Sequence, residues 1–300
     1  MWQEQLITLY CTVCRYYDSG ISEQVQRQSN NFRPQFTDEE VMTIFLWGIF
    51  QRRFEKKAIH GYTRMHLLDF FPKLHSYQAF VSRLNYLAPA FFALAEKSIE
   101  AKNMEADDMY HLIIDSLPIL LAKDSRSGYA KVAPELCDKT YNASRDQWYY
   151  GVKLHALVQR RRGSLPFPVR AFTSKASCHD LPVAKEILHN DIFPGFSLLA
   201  DKAYVDAGWS QSLLQDGISL LTPSKRNRAD PPSLPGGDAR DSSIACCRQP
   251  IEGFFNWLQE KTAIQSASKV RSSSGLLLHI SARLSAAFLL LAFPLLFLNP

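Results

Sequence analysis

Residues 111–118 read HLIIDSLP, and the fold is decided there. A charged break at Glu105, Asp107 and Asp108 gives way to Leu112, Ile113 and Ile114, and the aliphatic run ends on Asp115. A short aliphatic run bounded by polar residues is the pattern of a central strand buried on both faces. A carboxylate there needs a reason, because burying one without a partner is costly. Asp115 either caps the turn at the strand end, pairs with an Arg or Lys, or holds a cation. Its partners elsewhere in the chain decide which.

Downstream, residues 123–145 are polar and irregular, too long for a tight turn. Residues 148–158, WYYGVKLHALV, alternate as a strand: Tyr150, Val152, Leu154, Ala156 and Val158 face one way, Tyr149, Gly151, Lys153, His155 and Leu157 the other. A hairpin connection at 159–166, carrying Arg160, Arg161 and Arg162, leads to a strand at 167–173. A helix over 180–190 precedes FSLLAD (196–201), a second aliphatic run ending in Asp. A helix at 207–215 and a strand at 218–222 follow, then a loop at 223–241 rich in Pro, Gly and charge. That loop is either a DNA contact through Lys225, Arg226 and Arg228 or a linker. Residues 244–261 and 275–298 are helical in pattern. Antiparallel strands followed by alternating strand and helix make an α/β domain with a mixed sheet and helices on its faces.

Residues 1–105 have a helical period instead. Thr37 and Glu40 form a capping box ahead of Val41, Ile44, Phe45, Gly48 and Ile49. A further helix begins near Ser76 and carries Phe80, Leu84 and Leu87 on one face. With Arg52, Arg53, Lys56, Lys57 and Arg83, this part is either a DNA-binding module of helix-turn-helix character or a plain helical bundle. The division expected is therefore 1–105, helical and a candidate for DNA binding, and 106–300, the α/β domain with the loop insertion and the C-terminal helices.

The composition, 46% hydrophobic with 12% aromatic residues, is that of a folded chain and excludes a disordered one. The net charge of +5 is mild, so polyanion contact rests on local basic clusters. The six cysteines make no zinc pattern; Cys11 and Cys14 lie in an apolar helical stretch and read as core, which fits a reducing cytoplasm. The first residues lack a basic segment followed by an apolar one, so no secretory signal is expected. Residues 284–300 are uncharged and strongly apolar but short of a bilayer span and broken by Pro294. A core helix closing the domain, with His279 and Arg283 preceding, is the expectation, and no membrane partner.

Three acids carry the chemistry: Asp115, Asp201 and, in RQPIEGFFNWL, Glu252. Pro250 is tolerated in the first turn of a helix, which sets Glu252 early in it, Asn256 and Gln259 on its polar face, and Phe254, Phe255 and Leu258 inward. Arg248, four residues before Glu252, pairs with it or with a phosphate. Carboxylates are ligands for hard divalent cations, and two such ions activate an attacking oxygen and stabilise the leaving oxygen of a phosphodiester. Lys153 and His155, on one strand face, either reach the same phosphate or are an exposed polar face.

LIIDSLP, YYGVKLHALV, ASCHDLP, LLADKAYVD and RQPIEGFFNWLQEK, in this order and spacing, resemble the DDE domain of bacterial insertion-sequence transposases over about residues 108–290. The resemblance implies an RNase H-like fold preceded by a helical domain. It implies cutting and joining of DNA at the element's terminal inverted repeats and at target DNA, with two Mg²⁺ ions, replaceable by Mn²⁺. It assigns the metal and the chemistry to Asp115, Asp201 and Glu252, and DNA contact to Tyr204 and Arg248. A homodimer in the active complex and a cytoplasmic, nucleoid-associated location follow from it. Three positions depart from the pattern: Ala203 for Gly, Ala245 for Tyr, and the later Lys displaced to Lys261. The alternatives are an RNase H-like nuclease that does not join DNA and a transposase-derived DNA binder that does not cut it.

Overall fold

The computed structural model of the chain describes residues 2–26, 34–102, 111–188, 194–224 and 237–297. In chain order these form α1 (Trp2–Tyr16), an irregular turn (Tyr17–Ile21), α2 (Ser22–Gln24), α3 (Asp38–Phe50), α4 (Lys56–His66), α5 (Tyr77–Tyr86) and α6 (Ala88–Glu100). Then come β1 (His111–Lys123), β2 (Asp138–Asn142), β3 (Gln147–Gln159), β4 (Phe167–Lys175), α7 (Asp180–Leu188), β5 (Ser197–Leu199), α8 (Ala207–Gln215) and β6 (Ser219–Leu221). Helices α9 (Gly237–Arg248), α10 (Pro250–Thr262), α11 (Ser273–Ala292) and α12 (Pro294–Phe297) end the chain. Two compact units result: Met1–Met104 with Leu258–Pro300, and Glu105–Trp257.

The helical unit is built as its sequence pattern requires. Thr37 Oγ1 accepts from the Glu40 N–H at 3.3 Å while Glu40 Oε2 accepts from the Thr37 N–H at 2.7 Å, so both orphan donors are satisfied and α3 starts there. Ser76 caps α5 in the same way through the Ala79 N–H. Gly48 lets α3 and α4 close up, since a Cβ there would lie 2.5 Å from Ile59 Cγ1. Arg83 pairs with Asp38, Nε to Oδ1 at 2.6 Å, inside the unit. Helix α11 supplies Leu278, Ala282, Ala286 and Leu289 to the core made by α1, α3, α5 and α6. It is long and apolar enough to cross a membrane by length and composition, yet 89% of its apolar window is buried in the fold. Cys11, expected in the core, is exposed, and Cys14 is half-buried.

The second unit is a six-stranded mixed sheet. β1 pairs antiparallel with β3 along one edge, and the other edge of β3 is shared by β2 over its first half and β4 over its second. β5 pairs parallel with β1, and β6 parallel with β5. Without β2 the spatial order is β4-β3-β1-β5-β6, three antiparallel strands then two parallel ones reached through helices. This is an RNase H-like domain following a helical N-terminal region. β3 sits between partners on both edges and is buried almost throughout, so apart from Lys153 and His155, which are hydrogen-bonded, its middle is apolar or aromatic.

Four expectations are corrected. β1 does not end at Asp115: its partners on β3 continue through Pro118, beside Lys153, to Lys123. Pro118 is tolerated because the strand has lost its β5 neighbour on the other edge by that point. The polar stretch 123–145 contains β2, whose alternation Asp-Lys-Thr-Tyr-Asn carries no aliphatic residue to announce it. The loop expected at 223–241 gives way to α9 at Gly237, and residues 225–236 lie outside the described residues. The helical run after 244 is two helices, parted at Gln249, because Pro250 has no N–H with which to continue α9.

Candidate active site

On the parallel pair β1–β5, Ile113 lies beside Leu199. On the β6 side of β5 the bonding holds one residue further, where the Ala200 N–H donates to Leu221 O at 3.1 Å, and Asp201 keeps extended backbone. Asp115 and Asp201 each follow the Ile113–Leu199 pair by two residues, and Asp201 lies close enough for its charge to act on the Asp115 carboxyl. Both lie on the carboxyl side of the parallel β1–β5 pairing, the edge at which open α/β sheets bind ligands.

Asp115 is held on two sides. Its Oδ1 accepts from the Ser116 N–H at 2.8 Å, and its Oδ2 accepts from Arg248 Nη2 at 3.1 Å. Burial nonetheless pushes its carboxyl up to about 6; the Ser116 N–H and Arg248 oppose the rise, and Asp201 and Asp180 add to it. Asp201 Oδ1 accepts from the Ala203 N–H at 2.7 Å and closes a short turn, Lys202–Tyr204. No residue of that turn has positive φ, so Ala203 fits where the transposase pattern has Gly.

A carboxylate that motif reading did not single out completes the surroundings. Asp180, the first residue of α7, accepts from Lys153 Nζ at 2.9 Å and from Ser116 Oγ at 3.2 Å. Lys153 also donates to Cys178 O at 2.8 Å. A chain of bonds thus runs from Lys153 through Asp180 to Ser116, whose N–H holds Asp115. The signal available in the sequence was Asp180 at the start of a helix, two residues after Cys178 in ASCHDLP.

His155 is 1% exposed, with Nε2 on Ser174 Oγ at 2.8 Å, so the exposed polar face expected for Lys153 and His155 is not one. Burial lowers its pKa to about 4, with Lys153 helping and Asp180 opposing, and the ring is neutral at pH 7. Tyr204 is fully buried in the core under β5 with Trp209 and Leu213. Its hydroxyl has no partner among the described residues, and burial, with Asp180, Asp115 and Asp201, drives the phenol far above its ordinary value. Neither side chain is at the surface.

Arg248, at the end of α9, pairs with Asp115 and not with Glu252. The reason is the break at Gln249: the two residues lie on different helices, so the four-residue spacing no longer stacks them on one face. Glu252 is in the first turn of α10 with its side chain exposed, while Phe254, Phe255 and Leu258 are buried, as the helical pattern required. Lys261 lies near Glu260, at 3.8 Å. Lys225, Arg226 and Arg228 lie outside the described residues.

Asp115 and Asp201 fit a hard divalent cation: both donors are carboxylate oxygens, and a cation there would offset the burial that, with smaller pushes from Asp201 and Asp180, raises the Asp115 carboxyl. Among the described residues no group of three His, Cys, Asp or Glu side chains is drawn together. Asp115 and Asp201 are thus near one another, and Glu252 does not complete a group of three with them among the described residues.

A family model for the transposase DDE domain matches residues 106–289, more than half of the chain. The chain belongs to the DDE transposase family. Comparison with curated proteins and with solved structures gives no match. Members of this family generally work with divalent metal ions.

Proposed function

We propose that this DDE transposase is the enzyme of an insertion sequence, binding the element's terminal inverted repeats and performing metal-dependent strand cleavage and strand transfer. The observation that supports it most is the proximity of Asp115 and Asp201 just beyond the parallel β1–β5 pairing within a chain of this family. Asp115, Asp201 and Glu252 are the metal ligands and catalytic residues of the proposal, Glu252 swinging in from the first turn of α10. Bound divalent metal supplies activation of water or a 3′-hydroxyl and neutralises charge on the phosphodiester; Mg²⁺ is the expected ion and Mn²⁺ its substitute. Arg248 neutralises Asp115 and keeps a buried Nε with no partner among the described residues, a donor suited to a phosphate oxygen. Lys153 and Asp180 fix Ser116 and, through its N–H, the aim of Asp115. The chain acts as a homodimer in the bacterial cytoplasm, on nucleoid DNA.

A second reading, a DNA binder that does not cut, draws on one observation: three acids are not gathered among the described residues. One experiment separates the two. The full chain and Asp201→Asn are incubated with DNA flanking the gene, with Mg²⁺, Mn²⁺ or EDTA. Metal-dependent nicks at inverted repeats, absent in the variant, establish the transposase, and joined products exclude a nuclease that only hydrolyses. Tight binding without nicks establishes the binder.

A further inference from the structure

The helical unit contains a buried cationic cluster that takes no part in the site above. Arg283, on α11, is 5% exposed and donates only to backbone carbonyls, Nη2 to Phe54 O at 3.1 Å and Nη1 to His279 O at 3.4 Å. Its Nε is buried with no partner among the described residues. Lys56 is half-buried and donates to Asn85 Oδ1 at 2.8 Å. Its ammonium is lowered to about 8 by burial and then by the charge of Arg283, so the two cations feel each other. His279 Nε2 meets Ile264 O at 2.7 Å; burial, then Arg283, with a smaller push from Lys56, keeps that ring neutral. No carboxylate acts on any of the three among the described residues. Glu55, next to Lys56 in sequence, is turned to Lys269.

Buried charges are normally paired, so the buried Arg283, without an acid and beside the half-buried Lys56, calls for an anion from outside. The same corner holds the start of α4, an eleven-residue helix whose N-cap, Glu55, supplies no side-chain cap. Its first-turn N–H groups and the positive end of its dipole are the backbone half of an anion site. Lys57, exposed in that turn, adds a third positive side chain.

We propose that this corner, Lys56 and the first turn of α4 backed by Arg283, is a binding site for a phosphate oxyanion. The phosphate is either one of the DNA backbone or free inorganic phosphate. Only the DNA source rests on the function proposed above.

The test uses the full chain. Thermal unfolding is followed in rising inorganic phosphate against chloride at matched ionic strength, for the wild type and for Lys56→Gln, an exchange at a half-buried position that the fold tolerates better than one at Arg283. The expected result is a saturable rise of a few degrees in the wild-type midpoint that Lys56→Gln abolishes. Duplex binding against salt then names the source: for DNA phosphate the slope of log K against log salt falls by about 1 in Lys56→Gln. An unchanged slope, with the wild-type phosphate effect lost in Lys56→Gln, assigns free phosphate. No saturable rise, or one that persists in Lys56→Gln, overturns the site. Asp115→Asn keeps the phosphate effect in either case, so loss of DNA cutting and loss of this site are scored separately.

Discussion

At the scale of single residues, Asp115 sets the most informative test. Its carboxyl is raised from the ordinary range to about 6, and its side chain is 23% exposed, so the shift reflects real burial. The sign is the reverse of the usual carboxylate case. Between the unfolded value near 4 and the folded value near 6, the native state holds more protons than the unfolded one, so stability falls as pH rises through that window. Above pH 6 the ionised carboxylate costs about 2–3 kcal/mol relative to pH 4. Asp115→Asn removes this cost. In chemical denaturation the variant should be more stable than the wild type at pH 8, by about 1–2 kcal/mol after allowing for the lost Arg248 pair, and no more stable at pH 4. Millimolar Mn²⁺ at pH 8 should stabilise the wild type and leave Asp115→Asn unmoved; equal stabilisation of both would remove Asp115 from the ligand set. For cleavage, Asp115→Asn, Asp201→Asn and Glu252→Gln should each fall to background while duplex binding persists, because phosphate contacts by Lys and Arg supply most of the affinity. Full cutting by Glu252→Gln would leave two acids and a different third ligand.

At the scale of elements, the sheet depends on one close approach. Gly151 of β3 lies opposite Leu120, where β1 bulges before Ala122, and pairs on its other edge with Asp138 of β2. A Cβ at Gly151 would sit 2.0 Å from Ile119 O, a backbone atom that can move only with the strand. Gly151→Ala should therefore cost about 3 kcal/mol or more and shift the β1–β3 register, read as a lowered denaturation midpoint with altered amide exchange in both strands. A change below about 0.5 kcal/mol would mean that the bulge absorbs the methyl group. The elements that sequence reading located well were those whose pattern matched their burial: β3, β4, α8 and the capping box of α3. β2 escaped because it is short, polar and paired along only one edge, so nothing apolar marks it. The Asp115–Arg248 pair escaped because it depends on α9 ending at Gln249, a tertiary outcome that a four-residue spacing conceals. Asp115 and Asp201 were legible as acids that close aliphatic runs, but Asp115 lies within β1 and their proximity beyond the β1–β5 pairing depends on the tertiary fold.

At the scale of the whole molecule, the last helices are the part whose role composition left open between a core element and a membrane tail. Helix α11 carries Arg283 and His279 at buried positions, both bonded to backbone carbonyls, which an isolated span in hydrocarbon would not provide. Ser285, also buried, donates to Phe91 O of α6, and Leu278, Ala282, Ala286 and Leu289 share one core with α3 and α6. Small residues at 282 and 286 let the α11 backbone approach its neighbour closely, so the apolar sequence is explained by helices packing around it. A chain ending at residue 272 should then lose the core of the helical unit: it should bind a hydrophobic dye and show no cooperative unfolding of that unit. Were α11 a membrane anchor, the same truncation would improve solution behaviour and leave the unit folded. Ala286→Glu offers the same contrast without deletion. Burying an unpaired carboxylate against α6 should abolish folding of the helical unit, whereas a lipid-facing position would leave the detergent-extracted protein folded.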